Sequence, residues 1–310
     1  MVPAASTPTP RSRPDAPGLL DLKLVFVSGK GGTGKSTVAA ALALSRRRPT
    51  TLADLDRRLS AAALLGAIPK DSAAIKVTDT LDVIALTPRA ELEAFIERIV
   101  PIRAISRRML RSRTFGYVTA ALPGLEAFLL LERLRILAGE AALEDRYLVI
   151  DAPASGSAVE LLSVSSGVKG IAPAGTLNRL ADSIDGFLSD PTRFGAVITM
   201  TPEDLAVREA LETAGTIRDR LGIATVAAIM NCVPDSLFDT SELAAMSPIG
   251  GHAHLAIRRN AAHEQAALVA PRFIDAGLST FSLPMMFTPA IGPHELEKLG
   301  RVLKAELLDR

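Results

Sequence analysis

A glycine-rich segment with two lysines and a serine lies between an apolar run and a helical pattern near the start of the chain. Residues 29–36 read Gly-Lys-Gly-Gly-Thr-Gly-Lys-Ser and follow the apolar run Leu24–Val27. Glycines at these positions let the backbone turn tightly, so that several N–H groups face phosphate oxygens, and the next helix N-terminus adds partial positive charge. The segment predicts a phosphate-binding loop. The alternative is a glycine-rich turn that opens an ordinary helix.

The side chains of this loop have separate predicted roles. Lys35 is expected to reach the terminal phosphates of ATP, and Ser36 to offer its hydroxyl to Mg²⁺. Lys30 is not needed for the local cradle and would otherwise be a solvated surface lysine. The predicted nucleotide contacts in this segment are Gly29, Lys30, Gly31, Gly32, Thr33, Gly34, Lys35, Ser36 and Thr37.

Two further apolar runs end in aspartates. One run leads to Asp54 and Asp56, and the other, Tyr147–Ile150, leads to Asp151. Carboxylates at the carboxyl edge of a parallel sheet, beside a phosphate loop, can hold magnesium or orient an attacking water. We therefore expect Ser36, Asp56 and Asp151 at the metal, and Lys30, Lys35 and Asp56 as catalytic residues.

These residues need a scaffold in which strands and helices alternate. Seven apolar runs are predicted to be strands: Leu24–Val27, Thr51–Ala53, Val83–Leu86, Tyr147–Ile150, Gly195–Thr199, Thr225–Met230 and Thr280–Leu283. Helical patterns lie between most of them, for example Lys35–Arg47, Pro202–Leu221 and Pro293–Leu308. This alternation predicts an α/β fold with a doubly wound, mostly parallel sheet. We expect a disordered tail over residues 1–20, one domain over 21–310, and a helical insertion at about 88–144.

Composition limits the classes of partner. The chain has 310 residues and a formal net charge of +1, so no overall electrostatic attraction to nucleic acid is expected. Its one cysteine excludes an internal disulfide and a multi-cysteine metal site within one chain. No secretory signal or run of 18 apolar residues is present, so the sequence predicts a cytoplasmic chain without a transmembrane segment.

The segments around the predicted site resemble a known family. Lys30 resembles the signature lysine of the deviant Walker A ATPases, and residues 151–162, Asp-Ala-Pro-Ala-Ser-Gly-Ser-Ala-Val-Glu-Leu-Leu, resemble a switch segment of the arsenical-pump and tail-anchored-protein targeting ATPases. Residues 122–126, 190–203 and 230–234 agree with the same family. The resemblance implies a SIMIBI-type P-loop NTPase and covers most of residues 22–310.

The resemblance implies a dimeric switch driven by ATP and Mg²⁺. Lys30 would reach the phosphates bound by the other subunit of a homodimer, or of a heterodimer with a related chain, and Asn231 would recognise the adenine edge. An asparagine that caps a turn is the alternative for Asn231. The helical insertion would hold a client protein on apolar side chains such as Phe95, Phe128 and Leu129, although periodic apolar residues more often form a core.

The chain also departs from the family pattern. The aspartate that positions water in the first switch corresponds to Ala63, and Ser157 replaces the histidine of the second switch. Hydrolysis is therefore expected to be slow, to depend on Asp56 alone, or to need a partner chain. The alternatives are a nucleotide-binding regulatory subunit without useful turnover and a partitioning or cell-division ATPase.

Overall fold

The structure is a computed structural model. It describes residues 18–19, 21–46, 48–56, 58–69, 73–100, 102, 105, 108, 110, 112, 124–171, 175–246 and 253–308. Most of the predicted tail and much of the predicted insertion between residues 101 and 123 lie outside these residues. Leu19, at the end of the predicted tail, is buried and packs in the core.

In the described part of the chain, eight strands form one sheet. They are β1 (Leu24–Gly29), β2 (Thr50–Asp54), β3 (Ile75–Lys76), β4 (Leu81–Ala85), β5 (Tyr147–Asp151), β6 (Phe194–Met200), β7 (Thr225–Val233) and β8 (Ser279–Pro284). Their spatial order is β3-β4-β2-β5-β1-β6-β7-β8, and every neighbouring pair is parallel except β3 with β4. The predicted α/β class and mostly parallel sheet are confirmed.

Helices connect the strands. They are α1 (Lys35–Ser45), α2 (Ser60–Leu64), α3 (Pro88–Ile99), α4 (Leu125–Leu143), α5 (Ser155–Ile171), α6 (Thr176–Ser189), α7 (Asp204–Gly215), α8 (Thr240–Met246), α9 (Ala253–Asp275) and α10 (Pro293–Leu308). A π-helical turn, Thr216–Arg220, continues α7. The helix predicted over Pro202–Leu221 therefore begins two residues later and changes its winding in its last part.

The two faces of the sheet bury separate apolar cores because side chains alternate along each strand. In β1, Leu24 and Phe26 belong to the core under α4 to α7, whereas Val25 and Val27 belong to the core under α1 and α10. Strands buried on both faces consist of nearly continuous apolar residues, which is why the runs are so visible in the sequence. None of the described helices is both long and apolar enough to cross a membrane.

The described parts of the predicted insertion contribute to the core. Helices α3 and α4 contact each other, and Phe128 and Leu129 of α4 are buried. Phe128 packs in the main core under α4, while Leu129 packs with Leu92 and Ile96 of α3. These two residues therefore line no open groove.

Candidate functional site

The loop between β1 and α1 has the conformation that its glycines permit. Gly32 and Gly34 have φ values of 89° and 81°, in the left-handed region that favours glycine. A Cβ atom on Gly29 would lie 2.3 Å from the Thr199 carbonyl oxygen, so the close approach of β1 and β6 also requires a glycine. Gly31 has open space where its Cβ would be. The chain therefore turns tightly from a buried strand into a helix N-terminus.

The loop is attached to two neighbouring strands through Thr33. Its hydroxyl donates to the Lys30 carbonyl at 2.9 Å and lies 3.0 Å from the Thr199 hydroxyl of β6. The Asn231 amide of β7 donates to the Thr33 carbonyl at 3.1 Å and is buried. These contacts hold the turn that carries Lys30 and Thr33. Adenine recognition by Asn231 stays a prediction, because here its amide nitrogen binds the loop itself.

Two buried aspartates lie side by side at the carboxyl edge of the sheet. Asp54 of β2 and Asp151 of β5 are partners in the parallel register, and both are fully buried. Asp54 accepts hydrogen bonds from the backbone N–H groups of Asp56 and Ala62, at 3.0 and 2.9 Å. Burial nevertheless raises the pKa of Asp54 above its ordinary value. Asp54 thus positions the chain from Asp56 to α2.

The carboxylate of Asp151 differs from that of Asp54 in its hydrogen bonding. Neither of its buried carboxylate oxygens has a hydrogen-bonding partner among the described residues. Burial raises the pKa of Asp151 to about 7, although the nearby Ser36 hydroxyl and the charge of Lys35 act in the opposite direction. A buried carboxylate without a donor needs a counter-charge.

This arrangement fits a magnesium ion. Ser36 would contribute a hydroxyl and Asp151 a carboxylate, both of them oxygen ligands of the type that Mg²⁺ prefers, and nucleotide phosphates and water would complete the shell. Bound magnesium would neutralise charge on the phosphate oxygens.

Asp56 lies nearby, but its oxygens are engaged in a local turn. One accepts the Ser60 hydroxyl at 2.7 Å, and the other accepts the Arg58 N–H at 3.1 Å. Partial burial alone would raise the pKa of Asp56, but these donors and the charge of Lys35 lower it below its ordinary value. The carboxylate is thus ionised at neutral pH. Ala63 is exposed on α2 and brings no carboxylate.

Lys30 forms an ion pair within its own chain. Its Nζ atom lies 2.5 Å from Oε1 of Glu209 on α7, and the two side chains are 48% and 33% exposed. The second Glu209 oxygen is buried without a hydrogen-bonding partner among the described residues. The structure therefore brings together the loop, Asp56 and Asp151, while Lys30 is directed to α7. Sequence reasoning missed Thr199, although it lies within the 190–203 segment that resembles the family, and Glu209, which belongs to no motif.

Known proteins resemble the chain in this region. Residues 22–172, just under half of the chain, match the family model described as anion-transporting ATPase. A protein named ATPase BagA from Mycobacterium tuberculosis is 27% identical over 207 residues, which are 63% of this chain and 60% of that protein. A protein of Mycobacterium bovis that is also named as an ATPase matches with the same identity and coverage. The match thus spans about 60% of the length of these curated relatives. The matched residues include the phosphate-binding loop and both carboxylate-bearing strand ends, so this part of the chain is similar to the anion-transporting ATPase family.

Proposed function

We propose that the chain is a magnesium-dependent ATPase that works as a dimer and couples its nucleotide state to a client or partner protein. The observation that carries this proposal is the Asp151 carboxylate, which is buried beside Ser36 at the foot of an open glycine loop and has no hydrogen-bonding partner among the described residues. A carboxylate in this state is suited to a cation that arrives with a ligand. The match to the family model over residues 22–172 and the names of the curated relatives support the ATPase activity.

The proposed reaction is phosphoryl transfer from ATP to water. Water oxygen forms a bond to the terminal phosphorus, the bond to the bridging oxygen breaks, ADP leaves with the electron pair of that bond, and the proton lost by the water passes to the phosphate product or to solvent. Loop N–H groups and Lys35 would stabilise charge on the phosphate oxygens. Asp56, ionised and next to the loop, would orient the water. Lys30 would leave Glu209 and reach the phosphates of the second subunit.

Turnover measurements test the activity. With magnesium ATP, we expect Lys35→Ala to abolish phosphate release and weaken nucleotide binding, because it removes the positive charge facing the phosphates. Asp56→Asn should lower turnover by about 100-fold or more and leave binding intact, as expected for loss of a residue that activates water. Lys298→Ala on the exposed face of α10 is the matched control. Wild-type turnover in Lys35→Ala would refute the proposal.

A second candidate is a nucleotide-binding switch without useful turnover. Ala63 provides no carboxylate, and both oxygens of Asp56 are occupied by Ser60 and Arg58. This candidate predicts tight ATP binding and ATP-dependent dimerisation with no phosphate release above that of Lys35→Ala. Phosphate release that depends on Asp56 would exclude it.

Client binding is proposed for the helical region between β4 and β5. Ile102 and Ile105 in this region are 58% and 53% exposed, which is unusual for isoleucine in a folded chain. A labelled apolar helical peptide should bind in an ATP-dependent manner, and the double variant Ile102→Ser/Ile105→Ser should bind it at least about fivefold more weakly. Ile68 lies outside this region and is 75% exposed, so the variant Ile68→Ser is the control. Equal binding by all three proteins would refute client binding here.

A further inference from the structure

A cavity lies at the amino-terminal edge of the sheet, on the side away from the phosphate-binding loop. Its volume is about 350 Å³, within the range of small-molecule sites. Its walls come from the residues that lead into β1 and β5, the end of α1 and the last turn of α10. It shares no lining residue with the site described above.

Positive charge predominates around this cavity. Five of its lining side chains are basic and two are acidic: Lys23, Arg46, Arg48, Arg146 and Lys304 against Asp21 and Asp145. Three of the cations have carboxylate partners, since Lys23 and Arg48 pair with Asp145 and Arg146 pairs with Asp82. Arg46 and Lys304 have no carboxylate within ion-pair distance in the described part of the chain.

Arg46 is held by contacts with a ring and a carbonyl group, and no carboxylate pairs with it in the described part of the chain. Its guanidinium stacks on the Tyr147 ring, 3.8 Å from the ring centre, and donates to the Tyr147 hydroxyl and to the Leu19 carbonyl. Its Nε atom is buried with no acceptor among the described residues. Burial lowers the pKa of Arg46, although contact with Tyr147 opposes this effect. An anion in the cavity would supply the missing negative charge.

The remaining lining is apolar. Leu22 and Leu307 are buried, and Leu308 is 58% exposed. We propose that this cavity binds a small organic anion, in which a carboxylate or phosphate monoester faces Arg46 and Lys304 and an apolar chain lies against the leucines. The cations also lie near the carboxyl ends of α1, α4 and α10, where positive charge is favourable. Helix ends account for the position of these charges, but not for a cavity next to two cations that have no carboxylate partner among the described residues.

Calorimetric titration with matched probes tests the proposal. Octanoate and octyl phosphate carry the two anionic groups, octanamide is the neutral counterpart, and acetate lacks the apolar chain. We expect at least one of the two chain-bearing anions to bind at least about tenfold more tightly than octanamide and acetate. Lys304→Met should weaken that binding about tenfold, whereas Lys298→Met on the same helix should not change it.

The nucleotide site provides a further control, because octyl phosphate offers the phosphate that the glycine loop binds. Binding at the new cavity should persist in Lys35→Ala and in the presence of saturating magnesium ATP. Binding that is lost in Lys35→Ala and kept in Lys304→Met would assign the anion to the loop and overturn the proposal. Equal binding of octanamide, or no binding by either chain-bearing anion, would also overturn it. These results are independent of ATP turnover.

Discussion

Asp151 shows how a single residue can be unfavourable for folding and suited to function. Its carboxylate is buried at the end of β5 without a hydrogen-bond donor among the described residues, next to Asp54 on the adjoining strand. An unpaired buried charge normally destabilises a fold, and such residues are found preferentially at functional sites. The protein retains the charge where the proposed magnesium ion would compensate it.

The first prediction concerns stability without ligands. The pKa of Asp151 is raised to about 7 in the folded protein, whereas the carboxyl group of the unfolded chain ionises at about pH 4. The contribution of Asp151 to the free energy of unfolding therefore falls as the pH rises from about 4 to about 7, and it is constant above that pH. Asp151→Asn should raise the free energy of unfolding by about 2–4 kcal/mol at pH 8 in EDTA, and by less than about 1 kcal/mol at pH 4. Denaturant titration at both pH values measures it.

The same variant should lose the stabilisation that magnesium ATP gives to the wild-type protein. Asp204→Asn, at an exposed position on α7, is a control for removing a carboxylate from the surface. A gain in stability that is equal at pH 4 and pH 8 would contradict the electrostatic explanation, since only the ionised form is penalised.

The second prediction concerns the ion pair of Lys30 with Glu209 and rests on the proposed dimer. If Lys30 must leave Glu209 to reach a second subunit, removing the acid should favour dimerisation. Exposed ion pairs contribute about 0.2–1 kcal/mol and each dimer would break two of them, so Glu209→Gln should tighten ATP-dependent dimerisation by about two- to thirtyfold. Analytical ultracentrifugation measures this effect. Glu212→Gln, one turn along α7 and exposed, should leave the dimer unchanged; equal effects of both variants would exclude a specific role for the pair.

At the scale of elements, strands β6 and β7 act as supports for the loop that follows β1. Thr199 and Asn231 both contact Thr33 from the ends of their strands. The loop therefore has its shape before any ligand binds, and less conformational entropy is lost on binding. A strand residue that never touches the nucleotide can in this way affect its affinity.

The third prediction follows from this support. Thr199→Val removes the hydroxyl that contacts Thr33 with little change in volume, so we expect the KM for ATP to rise about three- to tenfold while kcat changes less than twofold. Thr280→Val is the matched control, because Thr280 is a buried strand threonine whose hydroxyl has no hydrogen-bonding partner among the described residues. A lower kcat with unchanged KM would contradict a role in positioning the loop.

The sequence predicted the elements better than their contacts. All seven predicted strands are present because strands buried on both faces are nearly continuous apolar runs, whereas the two residues of β3 are too few to form a pattern. The turn that engages Asp56 depends on Leu59 in the left-handed region, with φ of 50°, which leucine rarely adopts. Glu209 and Thr199 are far from the loop in sequence, so no spacing indicates their contacts with it.

At the scale of the whole molecule, the sheet separates two polar regions. The phosphate-binding loop and its aspartates lie at the carboxyl edge, and the basic cavity lies at the opposite edge. Helix α1 runs between them, from Lys35 at the loop to Ser45 beside the cavity, and packs closely on α10, where a Cβ on Gly300 would lie 3.1 Å from the Ala41 carbonyl oxygen. One helix thus gives the two regions a rigid connection.

The fourth prediction separates a role of Lys30 in its own chain from a role in the partner. In the proposed dimer, a Lys30→Ala chain keeps its own Lys35 but offers no Lys30 to its partner. A Lys35→Ala chain lacks the lysine of its own site but still offers Lys30 to its partner. Each variant alone should be inactive. Mixed in equal amounts, half of the dimers would be mixed and each of these would contain one complete site, so turnover per chain should recover to about a quarter of the wild-type value. Phosphate release after mixing measures this recovery. Random pairing of the two chains keeps it below the wild-type value, because half of the dimers contain two copies of the same variant. If Lys30 acts only on the nucleotide bound by its own chain, no mixture contains a complete site and no activity returns.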